Sequence, residues 1–334
     1  MDARPTVVIA DFLEDASIEG PILAPLADIE VARARDEAAL APFLGRAEAI
    51  ILFHDIHRMT EATFARAGRL RVVVRAGVGF NNVDLASAGR RGIAVCNVPD
   101  YGTEEVADHA ILLLLAVARH LRVQDASIRA GEWDYLTGRA THRLRGKTLG
   151  LVGCGRIGSA TALRAKAFGL DVAFFDPYVP SGVDKALGIR REFRLDDLLA
   201  RSDYVSLHSY LDDRSRHLID RPALARMKPG AILVNTARGG LVDQGAVLEA
   251  LDSGHLLGAG LDVFEREPLD DDRLRHHPRV ILTPHSAFYS VEGFVELRTK
   301  AAEEVRRVLG GEAPHNLVNA SMLEAPRISL PVPA

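Results

Sequence analysis

Short apolar runs of four to six residues recur along this chain, separated by stretches whose apolar positions fall at helical spacing. In the first hundred residues, Thr6–Ala10, Ala49–Phe53, Arg71–Val74 and Ile93–Cys96 read as buried strands, with amphipathic stretches at Thr60–Gly68 and Val83–Gly89 between them. Further on, Lys147–Val152, Val172–Phe175, Tyr204–Leu207, Ala231–Val234, Leu257–Leu261 and Arg279–Leu282 supply about six more strands, most of them separated by helical segments. Strand and helix in alternation imply parallel sheets covered by helices on their faces. A long helix is expected from Thr103 to about His120, another over Asp243–Leu251 with Asp243 as its N-cap, and a last one over Val291–Leu309. The tail after that helix, ending Leu-Pro-Val-Pro-Ala, reads as poorly ordered.

The strand at Lys147–Val152 runs into Gly153-Cys154-Gly155-Arg156-Ile157-Gly158. A helix follows, expected over Ser159–Phe168, then a second strand that ends at Asp176. This is the order of a dinucleotide-binding unit. The first glycine permits a tight turn, the second lets a pyrophosphate approach the backbone, and the third lets helix and strand pack closely. Free N–H groups at the helix start attract the anion. A carboxylate at Asp176 accepts hydrogen bonds from both ribose hydroxyls and repels a 2′-phosphate, which favours NAD over NADP.

Composition narrows the class. A chain of 334 residues allows about two domains. A net charge of −4 offers no broad basic face for nucleic acid. The longest apolar run, Ala110–Ala118, is too short to span a bilayer and reads as a buried or dimer-facing helix. Residues Met1–Pro5 show no leader pattern, and Cys96 and Cys154 lie in apolar strand-like runs as reduced thiols. A cytoplasmic protein is expected. His54 and His57 follow a strand and read as a loop rather than a metal site, so no metal is expected.

Three clusters follow strands of the nucleotide region: Asn235-Thr-Ala-Arg238-Gly-Gly240, Asp262-Val-Phe-Glu-Arg-Glu267-Pro, and Thr283-Pro-His285-Ser. Open α/β sheets bind ligands at these strand ends. Arginine, carboxylate and imidazole together suit oxidation of a hydroxy acid. The arginine binds the substrate carboxylate, the imidazole takes the hydroxyl proton, and the acid orients the imidazole. Glu267 is preferred over its neighbour Glu265 because a proline follows it.

With these motifs the chain resembles the D-isomer-specific 2-hydroxyacid dehydrogenases over nearly its whole length. Within that family it is most similar to the C-terminal binding proteins, in Ala94–Pro99, Leu163–Gly169 with Phe175–Tyr178, Pro284–Ser290 and Arg75. The resemblance implies two Rossmann-like doubly wound parallel-sheet domains with a cleft between them. Residues 1–100 and 290–334 would form a discontinuous, flavodoxin-like substrate-binding domain, and 101–289 the NAD-binding domain. It further implies Arg238, Glu267 and His285 as the catalytic set. Thr103, Gly153, Gly155, Arg156, Ile157, Asp176, His208, Thr236, Ala237, Arg238, Asp262 and His285 would lie along NAD. His54, Arg75, Gly77, Val78, Gly79, Arg238, His285 and Phe288 would face the substrate, with Phe288 where that subgroup carries tryptophan. Two positions depart from the usual pattern: Asn81 replaces an aspartate, and Tyr210 replaces a proline two residues past His208.

The activity so implied is NAD-dependent interconversion of a D-2-hydroxy acid and its 2-oxo acid, in a homodimer joined through the helix at Thr103–His120. Within the family, phosphoglycerate dehydrogenase and glyoxylate/hydroxypyruvate reductase are alternatives. The first is ranked lower because no regulatory domain is expected from the sequence and Arg75 points to the C-terminal binding protein subgroup. An NAD(H)-regulated scaffold or corepressor-like binding protein is the alternative of another class.

Overall fold

The structure is a computed structural model that describes residues 4–54, 56, 58–138 and 141–330. It divides into two compact units, Met1–Gly102 with Ser290–Ala334, and Thr103–Tyr289.

The first unit holds five parallel strands: β1 (Thr6–Ile9), β2 (Asp28–Val31), β3 (Ala47–Leu52), β4 (Val72–Arg75) and β5 (Ala94–Asn97). Their order is β2-β1-β3-β4-β5. Val8, Ile50, Val73 and Val95 share one fully buried core. The pattern of hydrophobic runs missed β2. Its Asp-Ile-Glu-Val alternates polar and apolar residues at half exposure, as suits an edge strand.

The helix Val291–Leu309 begins where expected because the Ser290 hydroxyl accepts the Gly293 amide at 2.8 Å. It packs on β3 and β4 and carries a buried ion pair, Arg298 to Glu19 at 2.7 Å. The segment after it departs from expectation. Val318 donates to Val95, Glu324 to Gly89 and Arg327 to Gly92, so the chain is tied down through Arg327. A β-carbon at Gly89 would sit 2.2 Å from the Met322 carbonyl oxygen, so the absent side chain makes room for that backbone. Residues 331–334 lie outside the described residues.

The second unit holds seven parallel strands rather than six: β6 (Thr148–Val152), β7 (Asp171–Phe175), β8 (Arg190–Glu192), β9 (Tyr204–Leu207), β10 (Ala231–Asn235), β11 (Leu256–Leu261) and β12 (Val280–Leu282). Their order is β12-β11-β10-β9-β6-β7-β8, so the winding reverses at β6, with β9 and β7 as its neighbours. β10 shows why the sheet is covered on both faces: Ile232 and Val234 join one core, Leu233 the other. The strand missed in the sequence, β8, is the charged edge Arg-Arg-Glu.

The helix Thr103–Ala118 lies on the face that carries Ile232 and Val234. It approaches β11 so closely that only glycine fits beneath it. A β-carbon at Gly258 would be 2.6 Å from Val117 Cγ1, and one at Gly260 would be 2.8 Å from Leu113 Cβ. No helix among the described residues is long and apolar enough to cross a membrane.

Candidate active site

The glycine turn after β6 is shaped by three different demands. Gly153 has φ of 100°, in the left-handed region, and a β-carbon there would meet the His208 backbone at 2.7 Å. Gly158 lies so close to Gly153 that a β-carbon would fall 2.3 Å from its carbonyl oxygen. Gly155 has nothing within 4 Å of its β-carbon position, which leaves its backbone open to a ligand. The helix starts three residues earlier than the pattern suggested, at Arg156, with Gly155 as N-cap. Arg156 and Ile157 therefore form its first turn, where unpaired N–H groups favour a phosphate.

Asp176 stands at the end of β7, beside this turn. Its Oδ2 accepts the Cys154 amide at 2.9 Å and its Oδ1 the Tyr178 amide at 2.8 Å. The acid thus ties the glycine turn to the loop where an adenosine ribose would lie. His208 follows β9, with Nε2 2.9 Å from the Ser206 hydroxyl, and burial brings its imidazole down to about 4. Thr236, past the end of β10, buries its hydroxyl with no hydrogen-bond partner among the described residues. An open glycine cradle, a ribose-side carboxylate and an orphaned hydroxyl at the strand ends fit a bound dinucleotide.

The second group of side chains gathers past β10, β11 and β12. Arg238 follows Asn235, whose amide closes the turn by accepting from Ala237 N at 3.0 Å and donating to the Arg238 carbonyl at 2.9 Å. Gly239 has to be glycine, because a β-carbon would lie 1.8 Å from the Phe264 carbonyl carbon. Arg238 Nη1 donates to the Ala237 carbonyl at 2.6 Å. Glu267 Oε1 accepts the Phe264 amide at 3.0 Å, and its Oε2 is 2.7 Å from His285 Nδ1.

Burial works to raise the Glu267 carboxyl. The His285 hydrogen bond and charge, the Phe264 amide and the Arg238 charge outweigh it and hold Glu267 below the ordinary carboxylate value. Glu267 is therefore ionised at neutral pH and can only accept, so His285 carries a hydrogen on Nδ1. Nε2 is the ring nitrogen on the side away from Glu267. Phe288 stands edge-on to the His285 ring, with centroids 6.3 Å apart and planes at 80°.

Asp262 directly follows β11. It is fully buried, its Oδ1 accepts the Thr283 hydroxyl at 2.5 Å and the Ser286 amide at 2.9 Å, and its Oδ2 accepts the Ala287 amide at 3.0 Å. Thr103 is the first residue of its helix.

In the first unit, Arg75 ends β4 and is buried. Its guanidinium folds back over Gly77, where a β-carbon would sit 1.6 Å from Nη1. The turn after it is fixed by Val98 donating to the Gly77 carbonyl and Asn97 Nδ2 donating to the Val78 carbonyl at 2.7 Å. Val78 is exposed and Gly79 partly so. His54 is exposed, with its ring 5.6 Å from Phe12. Asp11 and Asn82 hold the loop around it: Asp11 accepts the Phe53 and Ile56 amides, and Asn82 donates to their carbonyls. His57 lies outside the described residues.

Sequence reasoning did not pair Tyr178 with Tyr210, and it missed Arg191 and His109. The Tyr178 and Tyr210 rings pack tilted at 42° with centroids 5.8 Å apart, and the hydrogen bond with Tyr178 pushes the Tyr210 phenol up to about 12. Each sits a few residues past a strand that borders β6, so the strand order alone would have paired them. Arg191, on β8, donates to the carbonyls of Asp176 and Val179 at 2.9 and 3.1 Å and so holds the ribose-side loop. His109 contacts Thr283 at 3.0 Å from the start of the apolar run of its helix.

Residues 111–287 match the family model described as D-isomer specific 2-hydroxyacid dehydrogenase, NAD binding domain. The chain is 38% identical over 313 residues to a D-3-phosphoglycerate dehydrogenase of Methanocaldococcus jannaschii and 40% identical over 315 residues to one of Mycobacterium leprae. Each match covers 94% of this chain and 59% of the relative, so the chain spans little more than half the length of these curated relatives. Among solved structures, a glyoxylate reductase of Paecilomyes thermophila matches with a TM-score of 0.87 and 29% identity, over 95% of this chain and 99% of that one.

Proposed function

The chain belongs to the D-isomer specific 2-hydroxyacid dehydrogenase family, and from that premise we propose that it interconverts a D-2-hydroxy acid and its 2-oxo acid with NAD. The observation that carries the reading is the 2.7 Å contact between His285 Nδ1 and Glu267 Oε2, with the Arg238 charge acting on the same carboxylate.

Arg238 holds the substrate carboxylate by charge-assisted hydrogen bonds and draws electron density from the adjoining 2-oxo group. His285, protonated and paired with Glu267, donates the Nε2 proton to the carbonyl oxygen; in the reverse direction the neutral ring takes it back. Glu267 remains ionised throughout and fixes the ring. The reduced nicotinamide, when bound, supplies the hydride. Arg75 and the Gly77–Val78–Gly79 turn are proposed as further carboxylate ligands, on the chemistry of a buried cation beside backbone amides. His54 is proposed to touch the substrate.

Asp176 supports NAD over NADP, since its carboxylate opposes a 2′-phosphate. Phe288 supports a substrate with an apolar or thioether side chain, in keeping with the likeness to C-terminal binding proteins. The two relatives named D-3-phosphoglycerate dehydrogenase support 3-phosphoglycerate as the competing substrate. Exposed Leu112 on the helix at Thr103–Ala118, with exposed Leu121 and Ile128 on the helix Leu121–Arg129 that follows it, supports a homodimer joined through the Thr103–His120 region. A cytoplasmic location is proposed from the two buried free thiols.

The test is NADH consumption with glyoxylate, hydroxypyruvate, phenylpyruvate, 4-methylthio-2-oxobutyrate and 3-phosphohydroxypyruvate. At least one is turned over, and His285→Ala lowers that turnover by roughly 10²- to 10⁴-fold with NADH binding retained. Equal turnover in the variant sinks the assignment.

A further inference from the structure

We propose that His109 is a positioning residue for His285, acting through Thr283 and Asp262, and that the glycines of β11 seat it there. The kinetic consequence rests on the dehydrogenase reading; the geometric one does not.

The register comes first. Val117 lies over Gly258 and Leu113 over Gly260, each too close for a β-carbon beneath it. Four helical residues rise about 6 Å and two strand residues about 6.6 Å, so the two spacings stay matched for one more step. That step brings His109 over Asp262. The side chains agree: His109 Nε2 is 3.0 Å from Thr283 Oγ1 and 3.8 Å from Asp262 Oδ1.

Proton counting then fixes direction. The Thr283 hydroxyl has one hydrogen, and it goes to Asp262 Oδ1 at 2.5 Å. Thr283 must therefore accept at its contact with His109, whose Nε2 carries a hydrogen. His109 thus locks the hydroxyl in the rotamer that serves Asp262.

Asp262 in turn governs the catalytic turn. Its side chain takes the Ser286 and Ala287 amides, and its carbonyl takes the His285 amide at 2.8 Å. These contacts bracket His285, whose φ of 51° lies in the left-handed region that non-glycine residues adopt infrequently. A loosened Thr283 would release one side of that bracket. His109 needs no contact with the reacting atoms to matter.

Four substitutions test this. H109L removes the donor at similar volume; H109Q restores an amide N–H near the Nε2 position. T283V removes the hydroxyl and T283S keeps it. Two readouts are followed: kcat and KM on the best 2-oxo acid, and the downfield Nδ1–H resonance of His285 in protein labelled with ¹⁵N-histidine. NADH affinity and Tm are followed beside them.

H109L and T283V should each lower kcat by roughly 10- to 100-fold with little change in KM or NADH affinity, and should shift or broaden the His285 resonance. H109Q and T283S should recover most of both. An unmoved His285 resonance in H109L overturns the proposal, as does H109Q falling as far as H109L at unchanged Tm. If the unsubstituted protein reduces none of the 2-oxo acids, the dehydrogenase reading fails instead, and the resonance still decides the positioning role.

Discussion

His285 and Glu267 meet at 2.7 Å through Nδ1 and Oε2, while the other Glu267 oxygen is held by the Phe264 amide. The carboxylate is anchored to backbone on one side and presents a fixed charge to the imidazole on the other. A pair so built makes the ring a better proton donor-acceptor and fixes which nitrogen faces the substrate.

Glu267→Gln should lower kcat for 2-oxo acid reduction by about 100-fold while NADH affinity stays within error. Glu267 is held below its ordinary value in the fold, so its contribution to stability is present above about pH 4.3 and lost as pH falls further. Urea unfolding of both proteins at pH 7 and pH 4 checks this: the advantage of the unsubstituted protein should shrink at the lower pH. An undiminished kcat would count against the pair.

Gly155→Ala and Gly158→Ala separate packing from ligand approach. Position 155 has φ of −75° and an open β-carbon site, so alanine there should leave Tm unchanged and weaken NADH at least tenfold by blocking backbone approach. Position 158 would force a carbon to 2.3 Å from a carbonyl oxygen, so alanine there should also cost about 1–3 kcal/mol of stability. Calorimetry and cofactor fluorescence titration read the two effects. Equal losses of Tm would argue against the distinction.

Asp176→Ala should weaken NADH by roughly 10- to 100-fold, the worth of one or two hydrogen bonds to a charged group, and should narrow the preference over NADPH. Titration with both cofactors is the measurement. If the unsubstituted protein already binds NADPH as tightly as NADH, the role given to Asp176 is wrong.

His208 is kept neutral by burial, with its imidazole at about 4 in the fold against about 6.5 when unfolded. Between those values the unfolded chain binds a proton that the folded chain refuses, so stability declines as pH falls through the window. The decline should reach up to ~3 kcal/mol and should flatten in His208→Gln. Denaturant midpoints at pH 7, 5.5 and 4.5 test it; parallel curves for the two proteins would refute it.

Much of this architecture is legible in the sequence. Central strands such as β4 and β10 announce themselves by Val-Val-Val and Ile-Leu-Val because both faces are covered. The edges β2 and β8 do not, since Asp-Ile-Glu-Val and Arg-Arg-Glu balance water against sheet. The glycine turn was readable from its spacing, yet its helix starts at Arg156 rather than Ser159 because Arg-Ile-Gly looks like loop until Gly155 caps it. Glu267 and His285 were found as residue types past strand ends. His109 was not, because its partner is set by how a helix registers on a strand. The ordered tail escaped notice for a similar reason: it depends on the empty sites beside Gly89 and Gly92.

One of the two units is assembled from both ends of the chain, and that has a consequence during synthesis. Residues 103–289 form the other unit from a single continuous stretch, so it can fold as soon as it leaves the ribosome. The first hundred residues emerge earlier but wait for the helix at Val291–Leu309, which covers β3 and β4. At ~5–20 residues per second the delay is roughly 10–40 s. Throughout it the nascent amino-terminal segment exposes an apolar sheet face, and holdase chaperones should engage the chain there first.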